Sequence, residues 1–249
     1  MEFATYPSLR GQVAFVSGGA TGLGAEFVAQ LAAQGARVGF VDVQDDAGHE
    51  LAAAHRGTLY RPCDVRDVDA LRRAIAEVGE ALGPITVLVN NAANDERHPV
   101  AGLSAADWDE LMAVNVRHHF FAAQAVAPMM RAAGRGSIVN LGSISAHINL
   151  PDLPVYITAK AGIEGLTRTL ARELGPDGIR VNCVIPGWVM TRKQLERWVT
   201  PEAEALIARS QALPLKVYPA DVARLVLWLA AEDSRACTGQ MWVVDGGWI

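Results

Sequence analysis

The chain alternates from one end to the other between short apolar runs and longer stretches with helical spacing. Runs that are rich in Val and Ile are typical of strands in a parallel sheet, because such strands are buried on both faces. Seven of them are present: Val13–Ser17, Arg37–Val41, Thr58–Pro62, Ile85–Asn90, Ser137–Leu141, Arg180–Val184 and Met241–Val244. The stretches between them, such as Ala25–Gln34 and Ala220–Ala231, repeat their apolar positions with the period of a helix. The pattern predicts an α/β, Rossmann-type doubly wound fold with a seven-stranded parallel sheet flanked by helices.

No linker, repeat or low-complexity tract divides the 249 residues, so we expect a single domain over residues 1–249. Ser104, followed three residues later by Asp107, predicts the start of a long helix that runs to about Met130. The least regular stretch is 188–218, in which Thr200-Pro201 and Leu213-Pro214 interrupt the spacing. Ligands of such sheets bind outside the carboxyl ends of the strands, so we expect 188–218 to form a substrate lid.

Composition narrows the class of protein. Apolar residues make up 51% of the chain and charged residues 20%, which is the balance of a folded domain. The net charge of −5 and the absence of a Lys/Arg block speak against a nucleic-acid partner. The sequence shows no signal-peptide core and no apolar run of ~20 residues, so we expect a cytoplasmic protein with no membrane partner. Three widely spaced cysteines, Cys63, Cys183 and Cys237, fit neither a disulfide framework nor a metal cluster, and we expect small buried side chains and no metal.

A glycine-rich turn, Ser17-Gly18-Gly19-Ala20-Thr21-Gly22-Leu23-Gly24, leads from the first strand into a helix. A diphosphate needs close approach of backbone N–H groups at a helix N-terminus, which glycine permits. Asp42 ends the second strand, at the distance from this turn where a carboxylate accepts the ribose hydroxyls of an adenosine. It would repel a 2′-phosphate, and neither Ala20, Thr21 nor Val43 supplies a cation. The predicted cofactor is therefore NAD, with Gly18, Thr21, Gly22, Leu23, Gly24 and Asp42 in its site.

Tyr156 and Lys160 stand at i and i+4 and share one face of a helix. Tyrosine titrates near ~10, but a neighbouring ammonium stabilises the phenolate, and we expect it to lower the pKa of Tyr156 enough for proton acceptance. A tyrosine and a lysine on the exposed surface of a helix, with no catalytic role, would have the same spacing. Ser143, at the end of the fifth strand, favours a catalytic interpretation. Asn115, in Val114-Asn115-Val116, is in a poor helical position on propensity grounds.

The glycine spacing G-x-x-x-G-x-G, together with Ser143, Tyr156 and Lys160, resembles the short-chain dehydrogenase/reductase family over the whole chain. The resemblance implies that Ser143 hydrogen-bonds the reacting oxygen and that Asn115 breaks its helix and holds a water for a proton relay to Lys160. It places Asp64 and Val65 against the adenine, and Asn91 and Ala92 over the cofactor. It places the nicotinamide amide against Pro186, Gly187, Val189 and Thr191, and it implies that Tyr156 and Lys160 also contact the cofactor. It implies a homotetramer, with Ala105–Met130, Tyr156–Leu174 and the C-terminal strand at its contacts.

Within that family the chain resembles bacterial NAD-dependent D-xylose 1-dehydrogenases. The shared segments are Tyr6–Leu9, Asn94–His98, Arg117-His118, Gly142–Ser145 with His147, Trp198–Glu202 and Asp245–Trp248. Two departures concern the pocket: Ala146 stands where a bulky aromatic is expected, and Trp188 where a small polar residue is expected. The predicted substrate residues are Asn94, Ser143, Ser145, Ala146, His147, Tyr156, Trp188 and Gln194. Ser145 is more typical of a loop cap than of a substrate ligand, His147 is equally typical of a loop hydrogen-bonder, and packing of the lid is the alternative role for Trp188.

We therefore predict an NAD-dependent oxidoreductase that takes a hydride from a sugar-like alcohol, with an aldose 1-dehydrogenase of the D-xylose type as the favoured activity and a lactone as product. A 2-keto-3-deoxy sugar acid is an alternative substrate, for which Arg97, Arg192 and Lys193 are candidate cations, and another small secondary alcohol is a third. A carbonyl reductase would use the same residues in reverse. An NAD-sensing binding protein is the non-enzymatic alternative, which the complete set of Asn115, Ser143, Tyr156 and Lys160 argues against.

Overall fold

The computed structural model describes residues 3–249, so Met1 and Glu2 of the predicted domain lie outside it. Its strands are β1 (Val13–Ser17), β2 (Arg37–Asp42), β3 (Thr58–Pro62), β4 (Ile85–Asn90), β5 (Gly136–Leu141), β6 (Ile179–Pro186) and β7 (Met241–Val244). They form one seven-stranded sheet in the order β3-β2-β1-β4-β5-β6-β7, and every pair is parallel. The predicted α/β fold is confirmed. The strand β6 runs two residues further than predicted, because Pro186 still pairs with Val244 at the end of the ladder.

Nine α-helices connect and cover the strands in the described part of the chain. They are α1 (Gly22–Ala33), α2 (Asp45–Ala54), α3 (Val68–Leu82), α4 (Ala105–Met112), α5 (His118–Ala133), α6 (Pro154–Leu174), α7 (Arg192–Arg197), α8 (Pro201–Ser210) and α9 (Pro219–Ala230). One core lies on the α1 and α9 side, around Phe27, Phe40 and Val226. The other lies on the α3, α5 and α6 side, around Phe15, Ile75 and Leu170. The sheet is thus buried on both faces, which is why its strands are continuously apolar.

The order of the strands reverses at β1: β2 and β3 lie on one side of β1, and β4 to β7 lie on the other, so that β1 and β4 are neighbours. Ser17 and Asn90 pair at the carboxyl ends of these two strands. This is the topological switch point, where an open parallel sheet leaves a crevice for a ligand.

The helix predicted from Ser104 to about Met130 is present but interrupted. Ser104 accepts a hydrogen bond from the backbone of Asp107, whose carboxylate bonds back to Ser104, so α4 begins with a capping box. A π-helical segment, Ala113–Arg117, then separates α4 from α5. Such segments are rare and occur frequently at functional sites.

The predicted lid is more regular than its prolines suggested. Thr200 caps α8 by accepting a hydrogen bond from the Ala203 backbone, and Pro201 occupies the first helical position, where its missing N–H costs nothing. A short parallel bridge between Val189 and Val217 joins the two ends of the excursion.

Two further features bear on the sequence expectations. Cys63 and Cys183 are buried, whereas Cys237 is half-buried, and all three are free thiols. Between residues 3 and 249, no helix combines the length and the apolar character that a bilayer crossing needs.

Candidate active site

A cavity of about 410 Å³ opens at the carboxyl ends of the strands, at the switch point. Its wall includes most of the residues predicted to hold a dinucleotide: Gly18, Thr21, Leu23, Asp42, Asp64, Val65, Asn91, Ala92, Tyr156, Lys160, Pro186, Gly187, Val189 and Thr191. It also includes Ser143, Ser145, Trp188 and Gln194 of the predicted substrate residues. Gly22, Gly24, Asn94, Asn115, Ala146 and His147 are not among the residues that line it.

The glycine turn has room for a diphosphate because side chains are excluded there. A Cβ on Gly24 would lie 1.8 Å from the carbonyl oxygen of Gly18, and one on Gly18 would lie 2.7 Å from Cα of Ala92. The Asn91 amide donates hydrogen bonds to the carbonyl oxygens of Ser17 (3.1 Å) and Gly18 (2.8 Å), which fixes the turn against β4. Gly24 therefore shapes the turn from behind the wall, and the turn leads directly into the N-terminus of α1, a favourable site for an anion.

Asp42 lies at the other end of the cavity, at the end of β2, and is only 8% exposed. Its carboxylate accepts hydrogen bonds from the backbone N–H groups of Ala20 (2.9 Å) and Gln44 (3.0 Å). Each oxygen keeps a lone pair for a further donor. Asp64, nearby on the wall, is bound by Arg66, and hydrogen bonds from that guanidinium hold the pKa of the carboxyl below its usual value. The wall at this end is therefore acidic, and it suits a diol better than a phosphate.

Ser143, Tyr156 and Lys160 meet where β5 ends and α6 begins. Ser143 Oγ accepts hydrogen bonds from the backbone N–H of Ser145 (3.1 Å) and from its hydroxyl (2.8 Å). Lys160 Nζ donates to the carbonyl oxygen of Leu141 (2.7 Å) and lies 5.5 Å from the centroid of the Tyr156 ring. The arrangement brings a hydroxyl, a phenol and an ammonium to one part of the cavity.

Burial shifts the pKa values of both ionisable groups in this arrangement, Tyr156 and Lys160. It raises the pKa of Tyr156, the charge of Asp95 adds to that rise, and a hydrogen bond with Ser143 opposes it. It lowers the pKa of Lys160 to about 8, which the nearby Cys183 and Asp95 oppose. The expectation that the ammonium lowers the pKa of Tyr156 is therefore not met in this structure: burial raises that pKa, and Lys160 is not among the groups that shift it.

Asn115 lies inside the π-helical segment and is fully buried. Its Oδ1 accepts a hydrogen bond from the Asn94 N–H (2.8 Å), and its Nδ2 donates to the Asn94 carbonyl oxygen (3.0 Å). Asn115 thus holds both backbone polar groups of Asn94 and supports the loop that follows β4. The poor helix propensity of asparagine was the sequence signal for this irregular turn.

Three predicted substrate residues lie off the cavity wall. The Asn94 side chain accepts a hydrogen bond from the Glu96 backbone (3.0 Å) and caps its own loop. His147 pairs with Glu164 (2.6 Å) on α6, so its ring is engaged outside the cavity. Ala146 ends the short helical turn Ile144–Ala146, of which Ile144 and Ser145 reach the wall and Ala146 does not.

Sequence reasoning missed several wall residues. Asp95 and Trp248 are the most informative, because the sequence placed both only within the shared segments Asn94–His98 and Asp245–Trp248. The carboxylate of Asp245 accepts hydrogen bonds from the backbone N–H groups of Gly247 (2.7 Å), Trp248 (3.0 Å) and Ile249 (2.9 Å). This network folds the C-terminus back towards the cavity. An aspartate followed by two glycines and a tryptophan was the available signal for such a turn.

Comparisons with known proteins agree with this geometry. The model of a family described as enoyl-(acyl carrier protein) reductase matches residues 18–249. The chain is 48% identical to a D-xylose 1-dehydrogenase of Caulobacter vibrioides, covering 100% of both chains, and 44% identical to a "probable galactose dehydrogenase" of Rhizobium meliloti, covering 97% and 96%. A crystal structure of a dehydrogenase/reductase from Sinorhizobium meliloti superimposes with a TM-score of 0.88, at 36% identity and 97% coverage of each chain.

Proposed function

The chain belongs to the short-chain dehydrogenase/reductase family and is an oxidoreductase, and we propose that it is an NAD-dependent aldose 1-dehydrogenase of the D-xylose type. The observation that carries the proposal is the meeting of Ser143, Tyr156 and Lys160 in one cavity with the glycine turn and Asp42. The named activities of the D-xylose and galactose relatives favour an aldose as substrate.

NAD rather than NADP is supported by the charges on the wall. The wall next to the turn presents the carboxylate of Asp42, which would repel a 2′-phosphate, whereas the carboxylate of Asp64 is paired with Arg66. The described cations on the wall, Arg97, Lys160 and Lys193, belong to the loop after β4, to α6 and to α7. We therefore assign Asp42 to the ribose hydroxyls and the turn Gly18–Gly24 to the diphosphate.

In the proposed reaction the anomeric hydroxyl of the sugar loses a proton and its carbon loses a hydride, which leaves a lactone. NAD supplies the hydride-accepting carbon and a positive charge. Ser143 donates a hydrogen bond to the reacting oxygen, and Tyr156 takes the proton in its phenolate form, which the Lys160 ammonium and the positive charge of bound NAD would stabilise. Lys160, held by the Leu141 carbonyl at 2.7 Å, keeps its positive charge near the phenolate. Asn115 fixes the loop at Asn94 and so holds this part of the wall in place.

The substrate side of the cavity suits a sugar because it combines polar groups with an aromatic surface. Ser145 and Gln194 offer hydrogen-bonding groups, while Trp188 and Trp248 offer ring faces. Sugar rings present C–H groups on one face and hydroxyls at their edges, and an indole suits the former. Trp188 is therefore a proposed specificity residue, whereas Ala146 lies outside the wall.

A sugar acid is the second candidate, favoured by one observation. Arg97 lines the cavity and stacks on Trp198, with 4.6 Å between the guanidinium carbon and the ring centroid, and has no carboxylate partner among residues 3–249. Lys193 is occupied by Asp95 and Glu96, and Arg192 is paired with Glu196 in solvent. A substrate carboxylate would therefore have Arg97 as its partner.

The test is formation of NADH with D-xylose, other pentoses, hexoses, aldonic acids and 2-keto-3-deoxy sugar acids, with identification of the product. We expect lactone from an aldose, with kcat/KM for D-xylose at least about tenfold above that for sugar acids, and a loss of about 10²–10⁴-fold in kcat for Tyr156→Phe. An Arg97→Gln variant serves as the matched probe. Preference for a sugar acid that collapses in Arg97→Gln would replace the aldose with the second candidate, and NAD binding without turnover of any substrate would favour a sensor.

A homotetramer is the assembly that we propose. Trp108 on α4, Phe120 on α5 and Val243 on β7 are large apolar side chains exposed by 40%, 41% and 43%, and each lies on a segment expected at a contact. Closed symmetric assemblies are the usual way to bury such surfaces. Phe120→Asp should shift the mass in light scattering below that of a tetramer, whereas Val100→Asp, at an exposed site away from these segments, should not. A monomeric wild-type protein would overturn the proposal.

A further inference from the structure

Ionic contacts join the loop after β4 to the first helix of the lid. Asp95 Oδ1 accepts a hydrogen bond from Lys193 Nζ (2.5 Å), and Asp95 Oδ2 accepts one from Gln194 Nε2 (2.6 Å). The two donors are consecutive residues of α7, so a single carboxylate binds one end of that helix. All three residues line the cavity.

The helix α7 has little else to hold it. None of its six residues is buried, so hydrophobic packing contributes little to its position. Its other described side-chain attachments are the Thr191 cap, whose hydroxyl accepts a hydrogen bond from the Gln194 N–H (3.3 Å), a pairing of Arg197 with Glu96 (2.5 Å) at the more exposed end, and a longer contact of Lys193 with Glu96 (3.5 Å). The carboxylate of Asp95 is therefore the main anchor of α7 on the cavity side.

The anchor itself is fixed from the catalytic side. Asp95 directly follows Asn94, whose backbone N–H and carbonyl are both bound by the buried Asn115. The position of the Asp95 carboxylate thus depends on the π-helical segment, and the position of α7 depends on Asp95. An exposed ion pair contributes little by itself, but a carboxylate that is preorganised by a rigid neighbour and accepts two donors contributes more.

We propose that Asp95 is a positioning residue that clasps α7 over the cavity through Lys193 and Gln194 and thereby links closure of the lid to the segment that holds Asn115. This rests on the proposed function only in so far as closure serves the reaction. The clasp also neutralises Lys193 and orients Gln194, so both present fixed groups to a substrate. Loss of the clasp lowers the fraction of closed protein and raises apparent KM in proportion.

Limited trypsin digestion tests the clasp without any substrate, because α7 contains the cleavage sites Arg192, Lys193 and Arg197. In Asp95→Asn we expect cleavage after Arg192 to be at least about fivefold faster than in wild type, as mapped by mass spectrometry. Glu96→Gln is the matched control, because it removes a neighbouring carboxylate that also pairs with α7 but does not line the cavity. It should change that rate by less than about twofold.

Kinetics and a double variant separate the clasp from direct substrate contact. We expect KM of Asp95→Asn to rise by about five- to tenfold with a smaller change in kcat. Lys193→Gln, which removes the partner of Asp95 on α7, should have the same effects on KM and kcat. The double variant Asp95→Asn/Lys193→Gln should be no worse than Asp95→Asn alone, because both changes break one contact. Additive losses in KM, unchanged digestion after Arg192, or equal effects of Glu96→Gln would each overturn the proposal. The digestion result stands whichever sugar, if any, is turned over, so its failure is distinguishable from failure of the proposed function.

Discussion

Burial of the charged Lys160 side chain destabilises the folded protein, and replacement of Lys160 should show by how much. The side chain is 2% exposed, and burial lowers the pKa of its ammonium from 10.5 to about 8. Lys160→Met keeps a similar length and removes the charge. We expect this variant to be inactive in sugar oxidation and yet more stable than wild type at neutral pH.

The magnitude follows from the two pKa values. At pH 7 both the folded and the unfolded chain carry the ammonium, and keeping it charged in the fold costs about 3 kcal/mol. Between pH 8 and 10.5 the unfolded chain binds more protons than the folded chain, so wild-type stability rises with pH in that window. At pH 9.5 the cost has fallen to about 1 kcal/mol. The variant also leaves the Leu141 carbonyl without its donor, a penalty of about 1–3 kcal/mol that does not depend on pH.

The quantity to measure is therefore the pH dependence of the difference in unfolding free energy between Lys160→Met and wild type. Urea unfolding of both proteins, at equal protein concentration, should give the variant an advantage of up to about 2 kcal/mol at pH 7, and the advantage should fall by about 2 kcal/mol at pH 9.5. Lys216→Met is the control, because Lys216 is exposed and pairing with Glu204 raises the pKa of its ammonium. A stability difference between Lys160→Met and wild type that is the same at both pH values would refute the reasoning.

Three further predictions concern the cofactor and the proton. Tyr156→Phe should reduce kcat by about 10²–10⁴-fold while NADH fluorescence titration gives an unchanged Kd; retention of a tenth of wild-type kcat would remove Tyr156 as the base. Asp42→Arg should raise the ratio of kcat/KM for NADP to that for NAD by at least about tenfold, and an unmoved ratio would show that Asp42 does not meet the ribose. Gly24→Ala should abolish measurable NADH binding because its Cβ would lie 1.8 Å from the Gly18 carbonyl oxygen, whereas Gly102→Ala, with open space around it, should bind normally.

The sheet could be predicted from the sequence because burial on both faces makes its strands continuously apolar. The ends of the strands were less predictable where pairing with a neighbouring strand decides them. β6 extends to Pro186 because Pro186 pairs with Val244 of β7, and the local sequence Ile185-Pro186 does not indicate this pairing. Asn115, in contrast, could be singled out from its local sequence. Asparagine is unfavourable inside a helix, so its presence in a helical pattern indicates a local irregularity, which is the π-helical segment.

The contents of the substrate wall were harder to predict because distant residues decide which side chains are available. His147 was an even choice between substrate and loop, and Glu164 on α6 engages its ring. Lys193 was a candidate for a substrate carboxylate, and Asp95, almost a hundred residues away, occupies it. No spacing rule within the sequence relates such pairs, so most of the residues that line the glycine-turn end of the cavity could be predicted, whereas fewer of those at the substrate end could.

The two pKa shifts in the cavity also explain how a costly lysine serves the reaction. Free tyrosine and lysine titrate within about one unit of each other, so neither has a marked tendency to hold the proton of the pair. Burial moves them apart, raising the pKa of Tyr156 and lowering that of Lys160 to about 8. Lys160 then becomes the more acidic of the two groups. Burial by itself therefore opposes proton transfer from the phenol to Lys160, and near neutral pH Lys160 stays an ammonium that stabilises the Tyr156 phenolate, to which the charge of bound NAD would add. The buried charge whose cost Lys160→Met would relieve is therefore the same charge that, in the proposed reaction, lets Tyr156 accept the proton.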